Sequence, residues 1–289
     1  MSAKQNPALD PAHPLWGLGY AKPIAHRSFV HVSGAGGERS EADIAEEVPV
    51  AFIYNGRPHV VMMATPADFE DFAVGFSLSE EIVESANAIS RLDVVRYSQG
   101  VELLLTIPAA AGDALAGRGR QLVGRTGCGL CGVQTVADAL RAGRSVAHWA
   151  NRWDIGALWR AEAALFPHQA YNRTTGAIHA AAFASGDGSL QIVREDVGRH
   201  NALDKVIGAL ARGSFAKEHG FALVTSRASH ELVQKAAVSG LGLLAAVSRP
   251  TDLAIRLAEA AGMTLVGLLR GTSANVYTHA DQLAGIHMR

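Results

Sequence analysis

Phe221-Ala222-Leu223-Val224-Thr225-Ser226-Arg227-Ala228-Ser229 is an apolar run that breaks into a polar turn, and its surroundings repeat that pattern. Downstream, Leu232, Val233, Ala236 and Ala237 share one helical face, residues 243–247 form a second apolar run, and Leu253, Ala254, Leu257, Ala258 and Ala261 share another helical face. Residues 263–269 are a third run. Thr251 stands as N-cap and Gly262 as the stop of the last helix, where such signals belong. Upstream, strand-like residues 190–193 lead into a helix whose Leu203, Val206, Ile207 and Leu210 recur at helical spacing. Strands and helices alternating at this repeat predict an α/β fold, with a mainly parallel sheet covered by helices on both faces.

In such sheets ligands bind beyond the carboxyl ends of the strands. Those ends carry Arg194-Glu195-Asp196-Val197-Gly198-Arg199-His200-Asn201, Thr225 to Ser229, Ser248-Arg249-Pro250-Thr251 and Arg270-Gly271-Thr272-Ser273. Arg199, Arg227, Arg249 and Arg270 bring positive charge, while hydroxyls and helix N-termini bring donors, a set suited to phosphate oxygens. Each turn alone reads as an ordinary solvated cap. Four together point to an anionic, nucleotide-like ligand, and the absence of a G-x-G-x-x-G after any strand excludes a Rossmann dinucleotide site.

Residues 1–45, punctuated by Pro7, Pro11, Pro14 and Pro23, read as a flexible arm. Residues 46–120 read as a small α+β part. It holds a hairpin turned at Asn55-Gly56, a helix with Thr65 as N-cap and Pro66 at its first position, and a second strand pair around Gln99-Gly100. Periodicity is lost over residues 109–120. Trp149, Trp153 and Trp159 fall in or beside a helical stretch, 154–166, that Pro167 stops, and they read as core or interface. Residues 136–289 form the expected three-layer α/β/α domain.

Between these parts, in a loop spanning residues 121–135, lie the only two cysteines of the chain, in Gly124-Arg125-Thr126-Gly127-Cys128-Gly129-Leu130-Cys131-Gly132. The glycines free the backbone and leave both sulfurs unshielded. Arg125 and the N-terminus of a helix over residues 133–140 lower a nearby thiol pKa, so the segment reads as built to present a thiolate. Other readings stand beside this one. A short-loop disulfide adds little in so long a chain. A zinc site needs further ligands from His148, His168, His179, His200 or a second subunit. A thioredoxin-like pair fits the C-x-x-C, but its flanking glycines do not suit a tightly packed motif.

The 289-residue chain has 26 basic and 27 acidic residues, a net charge of −1 and no basic block, which argues against a nucleic-acid backbone as partner. Its 48% hydrophobic content suffices for a core. No run approaches the roughly 20 apolar residues of a spanning helix, and no signal-peptide pattern opens the chain. The expected location is therefore the cytoplasm, where two thiols on one loop point to reactivity more than to stapling.

Four segments together carry a resemblance: Gly127-Cys128-Gly129-Leu130-Cys131-Gly132, Glu195-Asp196-Val197-Gly198-Arg199-His200-Asn201-Ala202, Ser226-Arg227-Ala228-Ser229 and Pro250-Thr251-Asp252-Leu253-Ala254. From about Glu47 to its end the chain resembles the formate dehydrogenase accessory sulfurtransferase family, FdhD. That resemblance implies a cytoplasmic sulfurtransferase, a persulfide carrier fed by a cysteine desulfurase. Its delivery target would be the bis(molybdopterin guanine dinucleotide) cofactor, with molybdenum or tungsten, of a formate dehydrogenase. It also implies a homodimer whose larger domain is similar to cytidine deaminases in fold, without a resident metal. Deamination itself is excluded, because no H-x-E lies upstream and no Pro precedes Cys128. Two positions depart from the family pattern, Ala177 in place of a glycine and Arg249 in place of a smaller residue.

Carried over residue by residue, the resemblance makes Cys128 the persulfide acceptor and Cys131 a residue that relays or releases sulfur. Leu268, Leu269, Arg270, Gly271, Thr272 and Ser273 would hold the guanine dinucleotide part of the cofactor, with Arg270 on phosphate. Two rival classes remain at this stage: a dithiol redox protein and a non-enzymatic cofactor-binding chaperone.

Overall fold

The computed structural model describes residues 22–119, 145–146 and 153–286. It opens on a two-stranded antiparallel ribbon, Ile24–Ser33 (β1) and Gly36–Ala45 (β2), where the sequence predicts a loose arm. Phe29, Val30, Val32 and Ile44 are exposed on it. Because apolar side chains occupy both faces of the ribbon, no alternation betrays the strands in the sequence.

The expected hairpin follows as Val48–Tyr54 (β3) and Arg57–Ala64 (β4), turned at Asn55 and Gly56 with φ of 50° and 75°. Val48, Val50, Phe52 and Tyr54 face inward, and the residues between them do not, which is the period of a strand with one buried face. Helix α1 (Phe69–Ser79) covers that face and is followed by Arg91–Tyr97 (β5) and Gly100–Thr106 (β6), which complete a sheet of order β4-β3-β6-β5. The Phe52 and Phe72 rings meet edge to face at 5.1 Å, a contact contributing about 0.5–1.5 kcal/mol beyond burial. Residues 109–119, aperiodic in sequence, form helix α2 (Ala109–Gly119), which lays Ala111 and Leu115 on this core.

Helix α1 begins at Phe69, not at Pro66, and Thr65 does not cap it. The Thr65 amide donates to Asp196 at 3.0 Å and its hydroxyl oxygen accepts from the Val197 amide at 3.0 Å, so both groups are committed to the other half of the molecule. Asp68, at φ 54°, takes the N-cap position without a side-chain hydrogen bond to the helix.

The second half is built on a six-stranded sheet of order β13-β12-β11-β10-β8-β9. Its strands are His179–Ser185 (β8), Leu190–Asp196 (β9), Gly220–Val224 (β10), Leu243–Ala246 (β11), Thr264–Arg270 (β12) and Ser273–Thr278 (β13). Only β10, β11 and β12 are mutually parallel neighbours; β8 runs against both β9 and β10, and β13 against β12. The sheet is therefore mixed where the sequence predicts a mainly parallel one. The reversal enters through β8, an alanine-rich strand that lacks the β-branched residues by which strands are recognised.

Alternation along these strands separates two cores. Ala181, Phe183, Ala222, Val224, Leu244 and Ala246 pack under Arg199–Arg212 (α5), His230–Val238 (α6) and Asp252–Ala261 (α7). Ala180, Ala182, Phe221, Leu223, Leu243 and Ala245 face the other way, against Ile155–His168 (α3). Three layers result, with the sheet in the middle. Trp153, in the short strand Trp153–Asp154 (β7) that pairs with Leu283–Ala284 (β14), is buried in the α3 core and donates its indole N–H to the Gly220 carbonyl at 3.2 Å. Trp159 is partly buried against the same core, as expected, and Trp149 lies outside the described residues. Among the described residues no helix is long and apolar enough to cross a membrane.

Candidate anion-binding rim

Because β8 runs against its neighbours, β9, β10, β11 and β12 all end at one edge of the sheet, and β8 begins there. The four polar turns named in the sequence therefore do share a rim. Three of them lead into helices, whose N-caps are Gly198, Ser229 and Thr251. Thr251 caps α7 through its hydroxyl, which accepts from Ala254 N at 3.3 Å, and Gly262 at φ 73° closes it, as the sequence predicts. Orphan amides at such termini face the rim and favour anions.

The segment after β9 is held from below by the other half of the molecule. The Asp196 carboxylate, fully buried, accepts from the amides of Thr65 (3.0 Å) and Gly198 (2.8 Å), from Asn201 Nδ2 (2.9 Å) and from Lys205 Nζ (2.7 Å). Lys205, equally buried, also donates to the carbonyls of Thr65 and Glu195, so the ion pair is hydrogen-bonded on every side, the condition under which a buried pair is tolerated. Asn201 adds a bond to the Met63 carbonyl at 2.9 Å. Glu195 accepts from the Tyr171 and Asn172 amides, at 2.9 and 2.7 Å, where the short helix Asn172–Thr175 (α4) begins. Burial nonetheless pushes its carboxyl above the usual range.

Two further residues complete this segment. His200 Nε2 lies 2.6 Å from Glu231 Oε2 and 3.4 Å from Ser229 Oγ, on α6 and its N-cap. Both partners meet the same ring nitrogen, so the three residues do not form a relay through the imidazole. Arg199 has its Nε buried without a hydrogen-bond partner. Among the described residues the salt-bridged arginines are Arg57, Arg91, Arg160, Arg194, Arg212 and Arg256. Arg199, Arg227, Arg249 and Arg270 are outside that set, and the rim's positive charge is uncompensated by ion pairs there.

The stretch expected to hold a guanine nucleotide divides in two. Leu269 is fully buried in the α3 core, and Leu268 sits at φ 52° in a bulge of β12, with its amide donating to the Ser248 carbonyl at 3.1 Å. Arg270, Gly271, Thr272 and Ser273 are exposed in the turn to β13, and the Gly271 amide donates to Glu162 on α3 at 3.2 Å. Arg270, Thr272 and Ser273 are the exposed side chains of this stretch, while Leu269 supports the turn from beneath. Cys128 and Cys131 lie outside the described residues, as does His148. Among the described residues no group of His, Cys, Asp or Glu is arranged to hold a metal ion.

Reading the sequence alone missed the place of His179. It opens β8 and pairs in register with Asp196, which sets it between the ends of β9 and β10. Burial, then the charge of Arg199, holds its imidazole below the ordinary histidine value. The missing signal was the alanine run after it, which conceals a strand.

Fold and rim together define a three-core α/β protein with an arginine-bearing sheet edge. Residues 45–284 match the model of the FdhD/NarQ family, and the chain belongs to that family. A sulfur carrier protein FdhD from Xanthomonas euvesicatoria pv. vesicatoria (strain 85-10) is 52% identical over 240 residues, which cover 83% of this chain and 85% of that one. One from Bordetella petrii is 47% identical over 251 residues, covering 86% and 90%. The crystal structure of a putative formate dehydrogenase accessory protein from Desulfotalea psychrophila superposes with a TM-score of 0.70 over 90% of this chain and 99% of its own, at 21% identity, and so shares the fold.

Proposed function

We propose that this chain is a sulfur carrier for formate dehydrogenase maturation, a sulfurtransferase that delivers persulfide sulfur to the bis(molybdopterin guanine dinucleotide) cofactor. The observation that carries the reading is membership of a family whose 52%-identical member is named a sulfur carrier, together with the confinement of both cysteines to one glycine-flanked C-x-x-C. In the first step the Cys128 thiolate attacks the outer sulfur of a cysteine desulfurase persulfide. The sulfur–sulfur bond of the donor breaks, the donor leaves as a thiolate, and Cys128 carries the persulfide. Thiolate character, promoted by Arg125, is what this attack requires.

The rim supplies the second half of the reading. A diphosphate-bearing cofactor suits a sheet edge that offers Arg270, exposed hydroxyls at Thr272 and Ser273 and three helix N-termini. The protein works in the cytoplasm as a homodimer, meeting the desulfurase and the formate dehydrogenase in turn. Incubating the purified chain with a cysteine desulfurase and cysteine tests this by mass spectrometry. One added sulfur on Cys128, lost in Cys128→Ala, is the expected result. A reversible Cys128–Cys131 disulfide without added sulfur would instead assign the chain to dithiol redox chemistry.

A further inference from the structure

We propose that His179, Arg199 and His200 form a second anion position, at the β8–β9 end of the rim, that binds a phosphate or diphosphate group and takes up protons as it fills. With sheet order β12-β11-β10-β8-β9, Arg270 and Arg199 lie at opposite ends of the edge. Four strand spacings separate β12 from β9, roughly 19 Å at about 4.8 Å each. One phosphate cannot engage both arginines.

Charge at the β8–β9 end is out of balance in a particular way. Asp196 is neutralised by Lys205, and Glu231 is engaged by His200. Arg199 feels the charge of Glu231 but makes no ion pair among the described residues, and its Nε is buried and unpartnered beside the N-terminus of α5. His179 and His200 stand close enough to Arg199 and to each other that their charges interact; His230, next to Glu231 on α6, is the remaining titratable group facing the cluster. An oxyanion here gains the Arg199 guanidinium, orphan amides of α5 and up to two imidazoles.

The coupling to protons follows from what lowers the His179 pKa. Burial comes first and the charge of Arg199 second. A bound anion offsets the second and attracts the imidazolium, so the His179 pKa rises on binding. Affinity therefore increases as pH falls from about 8 to about 6, by up to about tenfold per unit for each proton taken up.

The experiment is calorimetric titration of inorganic pyrophosphate into the full chain, at about pH 6 and about pH 8, in buffers of differing protonation enthalpy. Arg199→Gln is expected to weaken binding at least tenfold at both values. His179→Asn should bind like wild type at the higher pH and lose both the gain at the lower pH and the proton uptake. Protonation of pyrophosphate itself is common to both proteins and cancels in that comparison, and melting curves report that each variant is folded. Equal affinity in Arg199→Gln, or an undiminished proton uptake in His179→Asn, overturns the proposal. It rests on the reading above only for the identity of the natural ligand. Loss of GDP binding in Arg270→Ala with pyrophosphate binding indifferent to Arg199 would sink this inference and leave that reading standing. The opposite pattern would do the reverse.

Discussion

Gly75 and Gly208 meet where α1 crosses α5: a Cβ on Gly75 would lie 2.7 Å from the Gly208 nitrogen, and one on Gly208 would lie 2.8 Å from the Gly75 nitrogen. The two helices touch backbone to backbone, and each belongs to a different hydrophobic core. Around this contact the side chains are polar and paired. Asp71 of α1 binds Arg194 at 2.7 Å and also Arg212, while Asp204 of α5 binds Lys235 at 3.0 Å and Ser79 at 2.6 Å.

Gly75→Ala or Gly208→Ala forces a methyl into a neighbouring backbone, which cannot yield as a side chain can. Each is expected to cost at least about 3 kcal/mol, seen as a fall in the thermal midpoint of roughly 6 °C or more. An unchanged midpoint would show that the crossing opens without penalty.

Lys205→Met removes the positive partner of Asp196 and leaves a buried carboxylate with neutral donors only. A loss of about 3–5 kcal/mol is expected in urea denaturation, and Lys205→Met combined with Asp196→Asn should recover part of it. Two losses that simply add would show that the residues do not act as a pair.

Glu231 predicts a pH effect. Burial works to raise its carboxyl, but the hydrogen bond and charge of His200, with His230 and Arg199, hold it below the ordinary value of 4.5. A depressed folded-state pKa contributes stability above the unfolded value, and that contribution is lost as pH falls through the folded pKa. Below about pH 4.5 wild type should therefore lose stability faster than Glu231→Gln. Parallel acid limbs in the two proteins would refute the pairing.

For the cofactor reading, GDP should bind the full chain, and Arg270→Ala should weaken it about tenfold, the loss of one charge-assisted contact. Leu269→Ala should act differently, lowering stability by about 2–5 kcal/mol through the cavity it leaves in the α3 core. GDP affinity indifferent to Arg270 would remove this turn from the site.

Formate dehydrogenase from cells whose only copy of this protein is Cys128→Ala should contain metal and pterin, lack the terminal sulfido ligand and have little activity. Elemental and sulfur analysis of the purified enzyme reads this directly. Full activity would hand the case to a carrier role that needs no sulfur, that of a cofactor chaperone.

The readable parts of the chain were those where one face is buried and chemistry marks the ends. Thr251 and Gly262 bracket α7 in sequence and in space, and Val48, Val50 and Phe52 announce β3 by alternation. The rim was legible too, since four polar turns after four apolar runs need only the strand directions to converge. What was hidden was whatever lies between layers or between halves. In β8, Ala180 to Ala184 are buried on both faces, and alanine carries no periodic signal there. Thr65 looks like a helix cap because nothing local reveals a partner 131 residues away. The thiol reading of Cys128 and Cys131 falls on residues outside those the structure describes.

That distance has a bearing on how the molecule comes to be. The β8–β9 hairpin closes over a turn of a few residues, whereas the bonds that seat the Val197–His200 turn reach back to Met63 and Thr65 across 131 to 138 positions. Contacts so remote in sequence carry the larger loop-closure cost and are late events in folding. A chain still emerging or half-assembled therefore has its hairpin but not its seated rim. On the proposed reading of the rim as an anion site, a finished molecule could take hold of its cargo and an incomplete one would not sequester it.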